Sequence, residues 1–236
     1  LLHWFSGTGP DRGHLQLICI DRFPGIEPFY GLGQLDAAQL RSLLGSEQAI
    51  TREQVELGHR GWQAFTADTP VPLLDFSNEN LSALPFMAAA LKRHLEEFPD
   101  RITGLTRHER QILEMVNDGE HRPGRLFAGH QERETAPYLG DWGYWSIIEN
   151  LVNVPNALLQ TANGGIFLRP PAITDMEKFL AQRLHLTELG NAVLKGETDW
   201  VVLNPPDRWK GGIHLHPDKG IWRWDADNQT VMESGP

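Results

Sequence analysis

The run Leu105-Thr106-Arg107-His108-Glu109-Arg110-Gln111-Ile112-Leu113 opens a stretch over residues 104–196 whose reading decides the fold. The run Leu184-His185-Leu186-Thr187-Glu188-Leu189-Gly190-Asn191-Ala192-Val193-Leu194 closes it. Thr106 with Glu109 is a capping box, in which each side chain satisfies an amide of the other's turn. Ile112, Leu113 and Val116 then recur on one helical face, and Asn117-Asp118-Gly119 stops the helix. Residues 123–131 read as a short second helix with Leu126 and Phe127 inward. Asp141 is expected to cap a third helix, whose apolar set is Tyr144, Trp145, Ile147, Ile148, Leu151 and Val152, and Val154-Pro155 ends it. Residues 157–161 read as a strand, Asn163-Gly164-Gly165 as a turn and 166–169 as the return strand. Thr174 with Glu177 predicts an inserted helix. Leu184-His185-Leu186 predicts a last short strand, and Thr187 caps a final helix.

Helix, helix, helix, ribbon and helix is the plan of a winged helix-turn-helix. The fold class is therefore read as α+β. A partial α/β unit with helices occupies 1–103, a winged-helix-like domain 104–198, and a β-hairpin tail 199–236. The partial α/β unit comes from the start of the chain. Leu1-Leu2-His3-Trp4-Phe5 reads as the last turn of a helix and 6–13 as a loop. Leu15-Gln16-Leu17-Ile18-Cys19-Ile20 reads as a short, buried, β-branched strand. The first half of that unit has no counterpart here, so the chain reads as a fragment of a longer protein. Residues 23–35 carry Pro24-Gly25, Pro28 and Gly31-Leu32-Gly33 and form a long loop. Loops after strand C-termini hold ligands in open α/β sheets, so Gly25, Tyr30, Gly31 and Gly33 are the candidate ligand loop. Asp36 where a third glycine would stand excludes a dinucleotide fingerprint.

Three helices follow. Asp36 and Gln39 cap the first, with Leu40, Leu43 and Leu44 as its apolar side, and Thr51 and Gln54 cap the second, whose inner face is read as Val55, Trp62 and Phe65. Leu84, Met87, Leu91, Leu95 and Phe98 stripe the third, Pro85 lies in its first turn, and His94 lies beside the stripe. In the tail, 213–216 and 221–225 read as strands joined by the turn Pro217-Asp218-Lys219-Gly220. Trp222 and Trp224 share one face.

Composition narrows the function classes. The longest apolar run is nine residues, 83–91, against roughly 20 for a membrane span, so no membrane partner is expected. The single cysteine, Cys19, and the absence of a basic-then-apolar leader point to a reducing cytoplasm. Net charge is −10, and it is spread as −5 over 1–103, −3 over 104–198 and −2 over 199–236. Nucleic-acid binding runs on Lys and Arg neutralising phosphates, and no segment is basic.

The chain also resembles the C-terminal portion of a bacterial family that is listed only as a domain of unknown function. Leu17-Ile18-Cys19-Ile20, Gly31-Leu32-Gly33-Gln34-Leu35, Leu84-Pro85-Phe86, His94-Leu95-Glu96-Glu97-Phe98-Pro99, Leu139-Gly140-Asp141, Asp207-Arg208-Trp209 with Gly211-Gly212, and Trp222-Arg223-Trp224-Asp225 carry the resemblance. Members typically hold an upstream Trp-Phe-Glu-His-Asp motif, whereas Trp4-Phe5 is followed here by Ser6-Gly7. The resemblance implies an architecture and supplies no activity.

The chemistry-bearing residues are few. His214 and His216 sit two apart on a strand near Asp218 and form the candidate metal pair, although zinc takes three or four protein ligands. His121 and His130 flank the second helix and read as solvated. Glu96-Glu97 reads as an exposed acidic pair, and Cys19 as a buried thiol. The third helix of the 104–198 domain, which would enter a major groove, has no Lys or Arg from Asp141 to Val154. Arg122, Arg125, Arg133 and Arg169 are the candidate nucleic-acid contacts around it. No cofactor and no catalytic residue is expected. The leading expectation is a non-catalytic winged-helix protein that binds a protein partner or nucleic acid, and a homodimer stays open. The alternative is the remainder of an enzyme whose active-site half lies upstream, with a concave pocket beside the 23–35 loop.

Overall fold

Local signals start most of the helices. A computed structural model describes residues 2–3 and 15–234. The expected loop over 6–13, and Leu1, Trp4 and Phe5 of the expected helix end, lie outside the described residues, while Leu2 and His3 are helical. Asp36 and Gln39 form the capping box of α1 (Ala37–Ser42), Thr51 and Gln54 that of α2 (Arg52–Phe65). A short helix that the sequence reading did not give, α3 (Val71–Ser77), follows with Pro72 in its first turn. α4 spans Met87–Leu95 and begins after Pro85 rather than including it. The inner face of α2 is Leu57, Gly61 and Ala64, and Trp62 is 44% exposed. Gly61, without a Cβ, lets Phe76 pack close against α2 on that face.

The strand expected over 15–20 is a correction. Only β1 (Gln16–Leu17) pairs, antiparallel to β2 (Gln48–Ala49), and Cys19 is exposed rather than buried. Every named sheet is two-stranded and antiparallel, so no parallel α/β unit forms among the described residues.

The 104–198 segment builds its own core. Thr106 and Glu109 box α5 (Arg107–Asn117), and Gly119 at φ 98° turns the chain out of it. α6 is Pro123–Arg133 and α7 is Asp141–Val152, with Gly140 rather than Asp141 at the cap position. β3 (Leu159–Thr161) pairs antiparallel with β4 (Leu184–Leu186), and α8 (Met176–Ala181), capped by Asp175 rather than Thr174, lies between them in sequence. The expected return strand at 166–169 does not join the ladder. Asn153 instead brackets Phe167 with two hydrogen bonds of 2.9 Å, and the Gln182 amide brackets Leu168 at 3.1 and 2.8 Å. Side chains thus satisfy the backbone that a second wing strand would have satisfied. Thr187 caps α9 (Glu188–Leu194) as expected. Leu126, Tyr144, Ile148, Leu151, Phe167 and Phe179 are among the buried residues here.

The tail differs most from its expected single hairpin. Residues 200–203 form a helical turn, α10 (Trp200–Leu203). β5 (Arg208–Lys210) pairs with β6 (Ile213–Leu215), and β7 (Ile221–Asp225) pairs with β8 (Thr230–Ser234), so the two expected strands belong to separate hairpins. Ile213, Leu215, Trp224 and Val231 then share a second core with Leu57, Leu73, Phe76, Leu95 and Phe98. The first and last thirds of the chain therefore close on each other. At the junction Arg223 grips Asp199 with bonds of 3.1 and 2.7 Å, and Gly104 at φ 71° leaves space that a Cβ would take from the Asp199 carboxylate. No helix among the described residues is long and apolar enough to cross a membrane.

Candidate functional site

α4 has different surroundings on two sides. Outward, it borders an apolar groove of about 710 Å3, lined by residues 17–20 and 83–87 with Ala90 and Leu91. Leu17 of β1 and the three residues that follow it, Ile18, Cys19 and Ile20, line it together with Gln48 of β2. Among the described residues β1 has β2 as its one strand neighbour. Cys19, the chain's single cysteine, is exposed and lies in the groove's lining.

Next to the groove lies a cleft of about 480 Å3 between the 23–35 loop, α4 and residues 135–138. Of the four residues of the candidate ligand loop, Tyr30 and Gly31 line this cleft. Gly25 lines a separate shallow depression over residues 21–29, and Gly33 belongs to the 3-10 turn Leu32–Gln34. The Gln34 amide ties the loop shut by accepting from the Tyr30 amide and donating to Pro28 O at 3.2 Å. Gly31 at φ 146° supplies the left-handed backbone that the approach to that turn requires. The cleft expected beside this loop is thus present.

Inward from α4 lies a buried ionic network. Arg93 is 2% exposed and donates to Glu97 (2.6 Å) and, through a bidentate fork, to Glu134 (2.6 and 2.8 Å). It also reaches His108 Nε2 at 3.0 Å. A guanidinium only donates, so Nε2 accepts and the His108 Nδ1–H faces Glu97 Oε1 at 2.6 Å. Burial alone would raise the Glu97 carboxyl. The His108 hydrogen bond, with the charges of Lys210 and Arg93, instead holds it at about 2. Glu97 and His130 are corrections to the sequence reading. Glu97 is buried rather than on an exposed face, and His130 is 1% exposed rather than solvated. The missed signal for His130 is its spacing, four residues after the inward Leu126 and four before Glu134. For Glu97 it is the i,i+4 step from Arg93.

His108, His130 and Glu134 form the one trio with metal-ligand spacing among the described residues, with ligand atoms within 4.8 Å of one another. The network argues against metal use. The Arg93 NH2 nitrogen lies 3.0 Å from His108 Nε2 and 2.8 Å from Glu134 Oε1, which is where a bound cation would stand. His130 donates from Nδ1 to Gln111 Oε1 at 2.9 Å and leaves Nε2 buried without a partner. Its pKa is pushed down to about 4, chiefly by burial, with the Arg93 charge adding to it.

Of the candidate metal pair, His214 sits on β6 and His216 lies just after it, capping the 3-10 turn Pro217–Lys219. His214 Nε2 is held by Asp207 at 2.6 Å and stacks on Trp209 with ring centroids 4.6 Å apart. His216 Nδ1 accepts from the Asp218 amide at 3.2 Å. The two rings lie 5.3 Å apart, and each carries an existing contact rather than converging with a third ligand.

The four candidate nucleic-acid arginines divide. Arg169 is neutralised by Glu149 of α7 at 2.6 Å, so this cation is tied to the helix that the sequence reading placed against bases. Arg133 lies 3.9 Å from Glu114 and 3.8 Å from Asp118. Arg122 and Arg125 are exposed and have no ion pair among the described residues. Trp142, Ile166, Met176 and Leu180 are exposed in the same half of the chain. In comparisons with known proteins, the chain matches no family model, no curated protein and no solved structure.

Proposed function

We propose that this chain is a non-catalytic protein-binding module of a cytoplasmic bacterial protein. In this reading the 104–198 half is a winged-helix-like scaffold, and the open strand edge over 15–20 with the α4 groove is the docking surface. The occupant is a polypeptide that adds an extended strand to that edge and lays its apolar side chains in the groove. A second copy of the chain is one such polypeptide. One observation carries the reading. A segment with the composition of a buried central strand pairs over only two residues among the described residues and lies beside an apolar groove. Natural edge strands are usually blunted by charge or proline, and residues 15–20 hold neither.

Protein is favoured over nucleic acid because α7 has no cation and the wing's arginine is already paired. Labelled duplex DNA titrated at about 0.15 M salt is expected to show no retained complex. A salt-sensitive shift that disappears in the Arg125→Ala/Arg169→Ala variant would overturn the preference for protein.

The second reading is the remainder of an enzyme, and the cleft beside the 23–35 loop favours it. Its titratable groups argue against catalysis by this chain alone. Asp21 is held by Arg22 at 3.1 Å, and His94 is pushed down to about 4, chiefly by burial and by the charge of Lys210.

A further inference from the structure

The geometry points to the cleft between the 23–35 loop, α4 and residues 135–138 as a binding site for a flat, uncharged heteroaromatic small molecule. Its volume of about 480 Å3 falls within the roughly 300–1,000 Å3 of small-molecule sites. Three separate segments bring aromatic rings to its walls: Phe29 and Tyr30 from the loop, Phe86 from the start of α4, and Tyr138 from the segment after α6. Rings converging from elements distant in sequence make a stacking slot and not a patch on one helix.

The polar groups in the cleft define the rest of the ligand. His94 makes no hydrogen bond to a described residue, and its ring contacts are with Phe65 and Phe98. An imidazole kept uncharged carries one N–H donor and one bare nitrogen acceptor. The Thr135 hydroxyl, also in the lining, has no described partner either. Both kinds of hydrogen bond are therefore offered to an occupant.

Asp21 is the one carboxylate in the lining, and it is half exposed and paired with Arg22. The nearby Arg93 guanidinium is saturated by Glu97 and Glu134. An ionised ligand would enter without a counter-charge and lose its hydration, whereas an uncharged ring system with N–H and N: edges matches the cleft. Tyr138 closes one end. Its ring lies 5.6 Å beneath the Arg93 guanidinium and 5.5 Å from the His108 ring, edge to face, so the buried network holds this wall in place. The site adjoins the groove of the docking proposal and shares Ile20, Pro85, Phe86 and Ala90 with it, whereas Leu17 lines the groove alone, so Leu17→Asp distinguishes the two.

The test is titration of the full chain with adenine, indole and quinazoline at neutral pH, read by calorimetry and by saturation-transfer NMR. At least one probe is expected to bind saturably. His94→Phe keeps a ring and removes both ring nitrogens. Loss of such hydrogen bonds is expected to weaken binding about ten-fold. Tyr30→Ala, on the rim and outside both cores, is expected to weaken it by a similar factor without affecting folding, which circular dichroism checks. Leu17→Asp in the neighbouring groove is expected to leave binding unchanged. The proposal is overturned if none of the three probes binds, if both cleft variants bind like the wild type, or if only Leu17→Asp loses binding.

Discussion

Arg93→Met is expected to destabilise the chain by about 3–5 kcal/mol, the cost of breaking a buried ion pair from one side. At this size that lowers the melting temperature by about 6–20 °C. The methionine fills much of the same volume, so the loss is electrostatic. Glu97 and Glu134 would remain buried with the fork that served both of them gone. Arg93→Lys is expected to recover only part of it, because a single ammonium cannot reproduce the bidentate grip on Glu134. Adding Glu97→Gln and Glu134→Gln to Arg93→Met is expected to return a large share of the stability. Thermal unfolding of the four proteins checks this. Equal stability of Arg93→Met and wild type would mean that the network contributes nothing.

The same network sets an acid limit. Glu97 titrates at about 2 in the folded chain, below its ordinary value of 4.5. A depressed folded pKa gives stability that is complete above the unfolded value and lost as pH falls from there through the folded one. Denaturant midpoints are expected to hold above about pH 5 and to fall between pH 4.5 and 2. Glu97→Gln should flatten that fall.

Gly190→Ala is the second large effect. Gly190 sits in the first turn of α9, where a Cβ would collide with the Leu158 carbonyl oxygen and lie 3.0 Å from its carbon. That carbonyl cannot move freely, because it accepts from the Thr187 amide at 3.0 Å and from the Thr187 hydroxyl at 3.2 Å. The methyl would push α9 away from the β3–β4 ladder and disturb the cap of its own helix. Overpacking of this kind costs about 1–3 kcal/mol, and here the obstacle is backbone rather than a side chain that can rotate. Gly33→Ala, with open space at its Cβ and an ordinary φ, is the control and should change stability little. A chemical denaturation series on the two variants separates them.

What could be read from the sequence divides along a physical line. Caps are local, so Asp36 with Gln39, Thr51 with Gln54, Thr106 with Glu109, and Thr187 identify their helix starts. The order of elements from α5 to α9 follows from them. Pairing is non-local, and there the reading failed. Residues 213–215 pair back to 208–210, not forward to 221–225, because Gly211-Gly212 pass against the backbone at 65–67 and turn the chain there. The wing's return segment lost its ladder to two amide side chains, Asn153 and Gln182, whose reach no strand pattern encodes.

The sites follow the same rule. The loop over 23–35 is legible from its Pro and Gly, and two of its four named residues reach a cleft. The Arg93 network is not legible, since its members come from α4, α5, α6 and residue 134, just beyond α6. Each alone looks like an ordinary surface charge. The 15–20 strand is the instructive disagreement. Its composition calls for burial, and among the described residues it is only part-buried and pairs over Gln16–Leu17 alone, the mismatch on which the docking proposal rests.

Site-resolved photo-crosslinking tests that claim most directly. A benzoylphenylalanine placed at Ile18 on the strand edge is irradiated in cells, beside matched positions at Ala90 in the groove and at Arg125 and Val202 on other surfaces. The account predicts one discrete protein adduct shared by Ile18 and Ala90, absent from Arg125 and Val202, and lost when Leu17→Asp is introduced. Adducts from Arg125 alone, adducts to nucleic acid, or no adduct from either groove position would contradict it.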